Sequence, residues 1–268
     1  MPIVALTREY GSGATAIARG VAERLGYEYI RDQVTKEAAE VFGVAEDELI
    51  GVVESKPGFW ESLAEAAQVE FAVVAAEVYH LAERGDAVIM GRWATLLLKD
   101  VQHCLRVRVC APMEARIPRV MARRSVTRER ALEIIRKADA GASARIRQFF
   151  NVEWGDPLLR DLVINTERLT VESAVSMIVT SAKQPEFQPS EVSLARLRDL
   201  SLAARIRAAL RVTKETMRLD LNVVVEDGRV TLRGPVFSGA TRDMVEHIVS
   251  GVAGVQSVKN EVRVFKET

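Results

Sequence analysis

Four short apolar runs, Ile3 to Leu6, Ala87 to Met90, Leu105 to Val109 and Leu162 to Ile164, are bounded by loop-forming residues. Segments whose apolar positions recur every three or four residues lie between them, among them Thr15 to Leu25, Trp60 to Arg84, Thr127 to Ala138 and Thr170 to Ala182. Strands alternating with helices predict an α/β fold, a parallel sheet covered by helices. Thr127, ahead of Arg128, Glu129 and Arg130, is placed to cap free amides at a helix start. The pattern stops at Lys183 to Ser190, where Pro185, Pro189 and polar neighbours deny continuity to either element. Residues 1–182 therefore read as one domain and 183–193 as a linker. In 194–268 the expected order is a helix to about Arg211, strands at Leu221 to Val225 and Arg229 to Leu232, a helix from Gly239 to Val249, and a strand near Ser257 to Phe265. This is a small α+β unit of order αββαβ. Asp227-Gly228 between alternating valines and leucine marks its hairpin, because the tight turn needs the positive φ these residues tolerate.

A chain of 268 residues accommodates two unequal domains, and 48% hydrophobic content lets each bury a core without metals or disulfides. Lys plus Arg balances Asp plus Glu at 37 each, so no overall field draws the chain to nucleic acid, and phosphate binding must be local. Cys104 and Cys110 make neither a disulfide framework nor a four-ligand metal site and read as buried free thiols. His80, His103 and His247 have no metal-ligand spacing. The apolar run at Pro2 to Leu6 is too short for a signal peptide, and no window of about 18 apolar residues occurs. The expected location is the cytoplasm, with no transmembrane segment.

Candidate chemistry lies directly after the first run. Thr7-Arg8-Glu9-Tyr10-Gly11-Ser12-Gly13-Ala14-Thr15 leads from strand to helix. That order presents free backbone amides and the positive helix end at the carboxyl edge of the sheet. Gly11 and Gly13 let the backbone approach phosphate oxygens, and Thr15 falls where a P-loop hydroxyl meets Mg²⁺. Against GxxxxGK[ST], however, Arg8 replaces the first glycine and Ala14 replaces the lysine. From the loop alone, a phosphate site and a plain strand-to-helix turn both stay open.

Thr7 to Gly13 resembles the SREYGSGG loop of the cytidylate-kinase-like family, whose members generally lack the lysine. Further matches are Leu25-Gly26-Tyr27-Glu28-Tyr29, Val88-Ile89-Met90-Gly91-Arg92, Val109-Cys110-Ala111-Pro112, Trp154-Gly155-Asp156-Pro157 and Leu162 to Leu169. The resemblance covers about residues 1–182 and implies a P-loop kinase-type fold, ATP with Mg²⁺ as donor and CMP or a related monophosphate as acceptor. It implies nucleotide-binding roles for Arg8, Gly11, Ser12, Gly13, Ala14 and Thr15, with Thr15 also toward the metal. Arg92 matches the arginine of the family's GRG segment and is expected to contact substrate phosphate and act in catalysis, with Trp93 at the second glycine position. Arg116, Arg119 and Arg123 follow on a helix at spacings that allow one shared face. Arg116 and Arg123 are expected at the nucleotide and Arg119 at the transferring group. In Asp139-Ala140-Gly141-Ala142, alanine stands where the family's lid arginine belongs, so Asp139 is retained as a substrate residue and the expected substitute from the next turn is Arg145, taken as catalytic, or Arg147. On the acceptor side the family's Asp-Arg is inverted as Arg31-Asp32, and no Walker B acid is evident. Mg²⁺ would rely on Thr15, phosphates and water.

Residues 194–265 resemble the BON domain, on Asp227 to Gly234 and Val252 to Asn260. Such domains are associated with phospholipid or ligand binding and protein association, which makes a protein or phospholipid the expected partner. Arg196, Arg198, Arg205, Arg207 and Arg211 on its first helix fit either an anionic surface or a solvated face. The expected function is ATP-dependent phosphoryl transfer to a nucleoside monophosphate, CMP or dCMP favoured, with the second domain regulating or localising it. Two alternatives stay open: a catalytically weak nucleotide-binding sensor, favoured by Ala14, Ala142 and the Arg31-Asp32 order, and a kinase of a non-nucleotide acceptor.

Overall fold

A computed structural model describes residues 2–31, 33–42, 60–91 and 93–265. In chain order the elements are β1 (Ile3–Arg8), α1 (Ala14–Leu25), β2 (Glu28–Ile30), α2 (Gln33–Phe42), α3 (Trp60–Glu83), β3 (Ala87–Met90), α4 (Ala94–Leu97), β4 (Cys104–Cys110), α5 (Met113–Arg124), α6 (Arg128–Phe150), β5 (Leu162–Asn165) and α7 (Val171–Ala182). There follow α8 (Glu191–Val212), β6 (Asn222–Glu226), β7 (Arg229–Val236), α9 (Gly239–Ser250) and β8 (Ser257–Val264). Contacts divide the chain into two compact units, Met1–Arg31 with Arg84–Ser193, and Asp32–Glu83 with Leu194–Thr268.

The first unit holds a five-stranded, wholly parallel sheet in the order β2-β3-β1-β4-β5. Central β1 is covered on both faces, with Ile3, Val4, Ala5 and Leu6 all at 0% exposure. Its run is therefore continuously apolar instead of alternating. Ile17 and Val21 of α1 pack with Val175 and Ile178 of α7 in one cluster with the sheet. Each fully buried side chain of this size contributes roughly 1.5–3 kcal/mol. The helices meet at Gly20, where an added Cβ would lie 2.9 Å from Val175 Cγ2.

Two elements exceed the sequence expectation. Helix α6 runs on past Ala138 to Phe150, because Ala142, Ile146 and Phe150 extend its apolar stripe onto Leu96 and Trp154. Thr127 Oγ1 does cap it, accepting from Arg130 N. Helix α5 continues through Pro118, where a kink or early end is expected, because Ile117 and Val120 are anchored on Ala131 and Ile135 of α6.

In the second unit α2 packs on α3, and α8 covers a three-stranded sheet in which β6 and β7 are antiparallel and β7 and β8 parallel. Leu202, Ile206 and Leu210 of α8 meet Val223, Val230, Leu232 and Val249 in its core. The order αββαβ is present, and Asp227 and Gly228 turn the hairpin at φ 49° and 75°. Ser201 Oγ of α8 donates to Glu83 Oε2 at the end of α3, 2.7 Å away. Among the described residues no helix is long and apolar enough to cross a membrane.

Candidate functional site

At the carboxyl edge of the parallel sheet, β1 hands over to α1 through a pinned loop. Ser12 N donates to Glu9 O at 3.2 Å. The Glu9 carboxylate accepts from Ala111 N at 3.1 Å and from Arg108 Nη2 at 2.9 Å, which ties the loop to the end of β4. Tyr10 N donates to Asp139 Oδ1 at 2.9 Å, and Tyr10 O accepts from Arg116 Nη1 at 3.2 Å. Gly11 and Gly13 have φ of 85° and 83°, a region that glycine enters without penalty. At Gly11 a Cβ would meet Val120 Cγ2 at 2.9 Å, whereas at Gly13 nothing lies within 4 Å of one. Past Gly13 the amides of Gly13, Ala14 and Thr15 open α1, and among the described residues no group accepts from them. They form the positive end of the helix.

Beside these amides lies a cavity of about 880 Å³ whose described lining holds six arginines, Arg8, Arg19, Arg31, Arg119, Arg123 and Arg124, and no carboxylate. Arg8 donates through Nη1 to Thr15 Oγ1 at 3.4 Å, and no carboxylate among the described residues pairs with it. Burial, then the charges of Arg31 and Arg123, pull its pKa below the ordinary value. A bound anion would relieve that repulsion. Arg119 is aimed by Thr166, donating to its Oγ1 at 3.0 Å and its carbonyl at 2.7 Å, while Thr166 Oγ1 donates to Ser12 O at 2.8 Å. Tyr10 is the shared neighbour of three of these cations. Arg8 and Arg123 lie 5.9 Å and 4.8 Å from its ring centroid, and Arg124 donates to its hydroxyl at 3.2 and 3.3 Å. Burial alone would raise the phenol's pKa, but the hydrogen bond from Arg124 and the charges of Arg123 and Arg124 outweigh it, and the pKa falls.

Of the residues expected at the site, Arg8, Gly11, Ser12, Gly13, Ala14, Thr15, Arg31, Arg119 and Arg123 line this cavity together. Arg116 and Asp139 do not line it. Arg116 is buried and bonded to Asp139 Oδ2, so the pair clamps α5 to α6 behind the loop. Arg145 lies on α6 and is not among the lining residues, and Ala142 packs in the cluster of Leu96, Ile146 and Trp154. Arg92 and Asp32 fall outside the described residues. Tyr10, Arg19, Arg124 and Thr166 line the cavity without having been singled out in the sequence. Thr166 had a signal, since it directly follows a strand at the carboxyl edge where ligands of such sheets bind.

For a metal, the described cavity wall offers hydroxyls, that of Thr15 among them, and no acid, and no group of three metal-ligating side chains occurs among the described residues. Six guanidinium groups repel a bare divalent cation. They fit one that arrives on phosphate oxygens.

A strand, a glycine turn and a helix facing convergent arginines at the carboxyl edge of a parallel sheet define a P-loop kinase-type domain. Residues 3–168 match the cytidylate kinase-like family, and residues 198–265 match the BON domain. The chain belongs to the cytidylate kinase-like family and carries a BON domain behind the family's region. The cytidylate kinase of Methanocaldococcus jannaschii is 28% identical over 175 residues, covering 64% of this chain and 92% of that protein. The cytidylate kinase of Methanopyrus kandleri is 27% identical over 177 residues, covering 63% and 86%. A crystal structure of an uncharacterized protein from Eubacterium ventriosum has the same fold, with a TM-score of 0.54 at 22% identity, covering 69% of this chain and 99% of that one.

Proposed function

We propose that the protein is an ATP-dependent nucleotide kinase that transfers the terminal phosphoryl group of ATP to a nucleoside monophosphate, with CMP or dCMP as the favoured acceptor. The observation that carries this reading is the cavity beside the opening amides of α1, whose described lining holds six arginines and no acid. Membership of the cytidylate kinase-like family supports the acceptor class. In the reaction an acceptor phosphate oxygen forms a bond to the γ-phosphorus, the bond from that phosphorus to the β,γ-bridging oxygen breaks, and ADP leaves with the electron pair. Such a transfer asks the protein for alignment and positive charge more than for covalent chemistry. Arg8 supplies charge that the lysine absent at position 14 would otherwise supply, and Arg119, held by Thr166, supplies it from α5. When bound with the nucleotide, Mg²⁺ would neutralise phosphate charge, and Thr15 Oγ1 would be the chain's oxygen toward it. We assign the kinase part to residues 1–182 and a regulating or localising role to the BON domain at 194–268, joined by 183–193.

A discontinuous assay with ATP and Mg²⁺ across CMP, dCMP, UMP and AMP tests the reading. ADP formation dependent on CMP or dCMP is expected. Tight ATP binding with no transfer to any of the four would move the protein to the second reading, a nucleotide-binding sensor. That reading is favoured by Ala142, whose side chain joins an apolar cluster where the family's lid arginine would stand. ADP formation that requires a non-nucleotide acceptor would redirect the acceptor assignment alone.

A further inference from the structure

We propose that Tyr10 is a positioning residue that gathers Arg8, Arg123 and Arg124 around the phosphate cavity before any ligand arrives. The inference rests on the nucleotide-binding reading above and adds to it the device that holds like charges together. Three guanidinium groups beside a wall with no acid among its described residues repel one another, and each loses rotamer freedom on being ordered. What they share is one side chain. Two approach its ring, whose π face attracts cations, and the third donates to its hydroxyl oxygen. The ring cannot drift to suit them, because the main chain of Tyr10 is fixed on both sides, its N–H by Asp139 and its carbonyl by Arg116.

The Arg116–Asp139 pair thereby gains a role consistent with its position behind the loop. It anchors the tyrosine that aims the arginines, and so acts on a ligand it does not touch. Cations ordered in advance strengthen binding by removing an ordering cost from the binding step. Tyr10 also packs against the α5–α6 apolar cluster of Ile117, Val120, Ala131 and Ile135. A purely packing role is thus the competing account, and the two differ in what leucine and phenylalanine would do.

The test uses the full chain and its Tyr10→Phe and Tyr10→Leu variants, titrated calorimetrically with inorganic tripolyphosphate and with MgATP, beside melting curves of the unliganded proteins. Leucine keeps the apolar packing and loses the ring, so tripolyphosphate affinity should fall about 10- to 100-fold with little change in melting temperature. Phenylalanine keeps the ring and should stay within about fivefold of the parent. In a double-mutant cycle, Arg123→Gln should cost clearly less in the Tyr10→Leu background than in the parent. Unchanged tripolyphosphate affinity in Tyr10→Leu, or an Arg123→Gln penalty of the same size in both backgrounds, overturns the proposal. Should Tyr10→Leu not fold, the cycle is run with Tyr10→Phe and Arg124→Gln, where additivity overturns it. If the parent binds neither tripolyphosphate nor MgATP, the nucleotide reading fails first and this inference with it. If the parent binds both and only the variants behave additively, the inference fails alone.

Discussion

Arginines of the cavity and arginines of α8 differ in what they are tied to, although both sets belong to a chain of balanced charge. On α8, Arg205 Nη1 donates to Ala253 O at 2.9 Å, Arg207 Nη2 to Val223 O at 2.8 Å, and Arg211 to Met217 O. These three cap the loops and strands of their own domain. In the cavity, Arg8 has one hydroxyl partner and a tyrosine ring, and its neighbours are other arginines. The charge a protein can offer a ligand is therefore read from the partners of each cation, not from the number of cations. By that measure three of the five arginines of the BON helix are engaged within their own domain, and the loop before α1 suits the proposed phosphate role better than its missing lysine suggests.

The comparison breaks most sharply at Arg8. Arg8→Gln is expected to lower kcat/KM for ATP by about 10²–10³-fold, the usual cost of removing one preorganised charged donor from a transferring group. Arg8→Lys should recover part of that loss, since it restores charge without the planar fork. Steady-state kinetics under saturating acceptor decide the matter. Activity unchanged in Arg8→Gln would mean that Arg8 is no more available to a ligand than the arginines of α8.

Next in size is Gly11→Ala. It places a Cβ 2.9 Å from Val120 at a φ of 85°, so the loop must shift or α5 must yield. A stability loss of about 1–3 kcal/mol is expected, with weakened tripolyphosphate binding. Chemical denaturation and calorimetry measure the two. Arg207→Leu should act in the opposite compartment of the comparison: about 1 kcal/mol off the stability of the BON domain, from the lost bond to Val223 O, with KM for ATP unaltered.

The sequence makes one half of this contrast visible and hides the other. The strand, glycine loop and helix are consecutive, so the proposed phosphate site is legible from Thr7 to Thr15, and the strands buried on both faces announce themselves as unbroken apolar runs. β2 did not, because of Glu28, Tyr29 and Ile30 only Ile30 is buried. Partnerships are set by topology. Thr166 reaches Ser12 across 154 positions, and Asp139 reaches Tyr10 across 129. Spacing alone placed Arg116, Arg119 and Arg123 on one face of α5, yet Asp139 on the neighbouring helix takes Arg116 away from the other two. Likewise the sequence shows five arginines on α8 but not the carbonyls that engage three of them.

Arg160 is a third kind of arginine, away from both sets. It is 6% exposed, its Nη1 donates to the carbonyl of adjacent Leu159, and its Nε and Nη2 have no partner among the described residues. Burial, then the charges of Arg108 and Arg106, lowers its pKa to about 10. Arg160→Leu is expected to raise stability by about 1 kcal/mol, because an unpaired buried charge is replaced by a side chain that suits the site. A lower melting temperature in that variant would show that Arg160 is compensated in a way its surroundings do not reveal.

The smallest effect belongs to cations that already have their anion. On β8, Glu261 receives Lys259 Nζ and Arg233 Nε at 2.6 Å each. Those hydrogen bonds, Lys259's first, bring its pKa down to about 2. With the folded value depressed, its contribution is complete above the ordinary carboxylate pKa near 4.5 and is lost as pH falls toward 2. The difference in melting temperature between the parent and Glu261→Gln should therefore be small at pH 6 and shrink further at pH 3. Added salt should shrink it too, since exposed pairs are screened. A difference that widens on acidification would mean the ladder is not held by this carboxylate. The cavity should respond to salt in the other observable: melting of the unliganded protein should change little or rise as added anions shield the arginines, while tripolyphosphate affinity falls steeply.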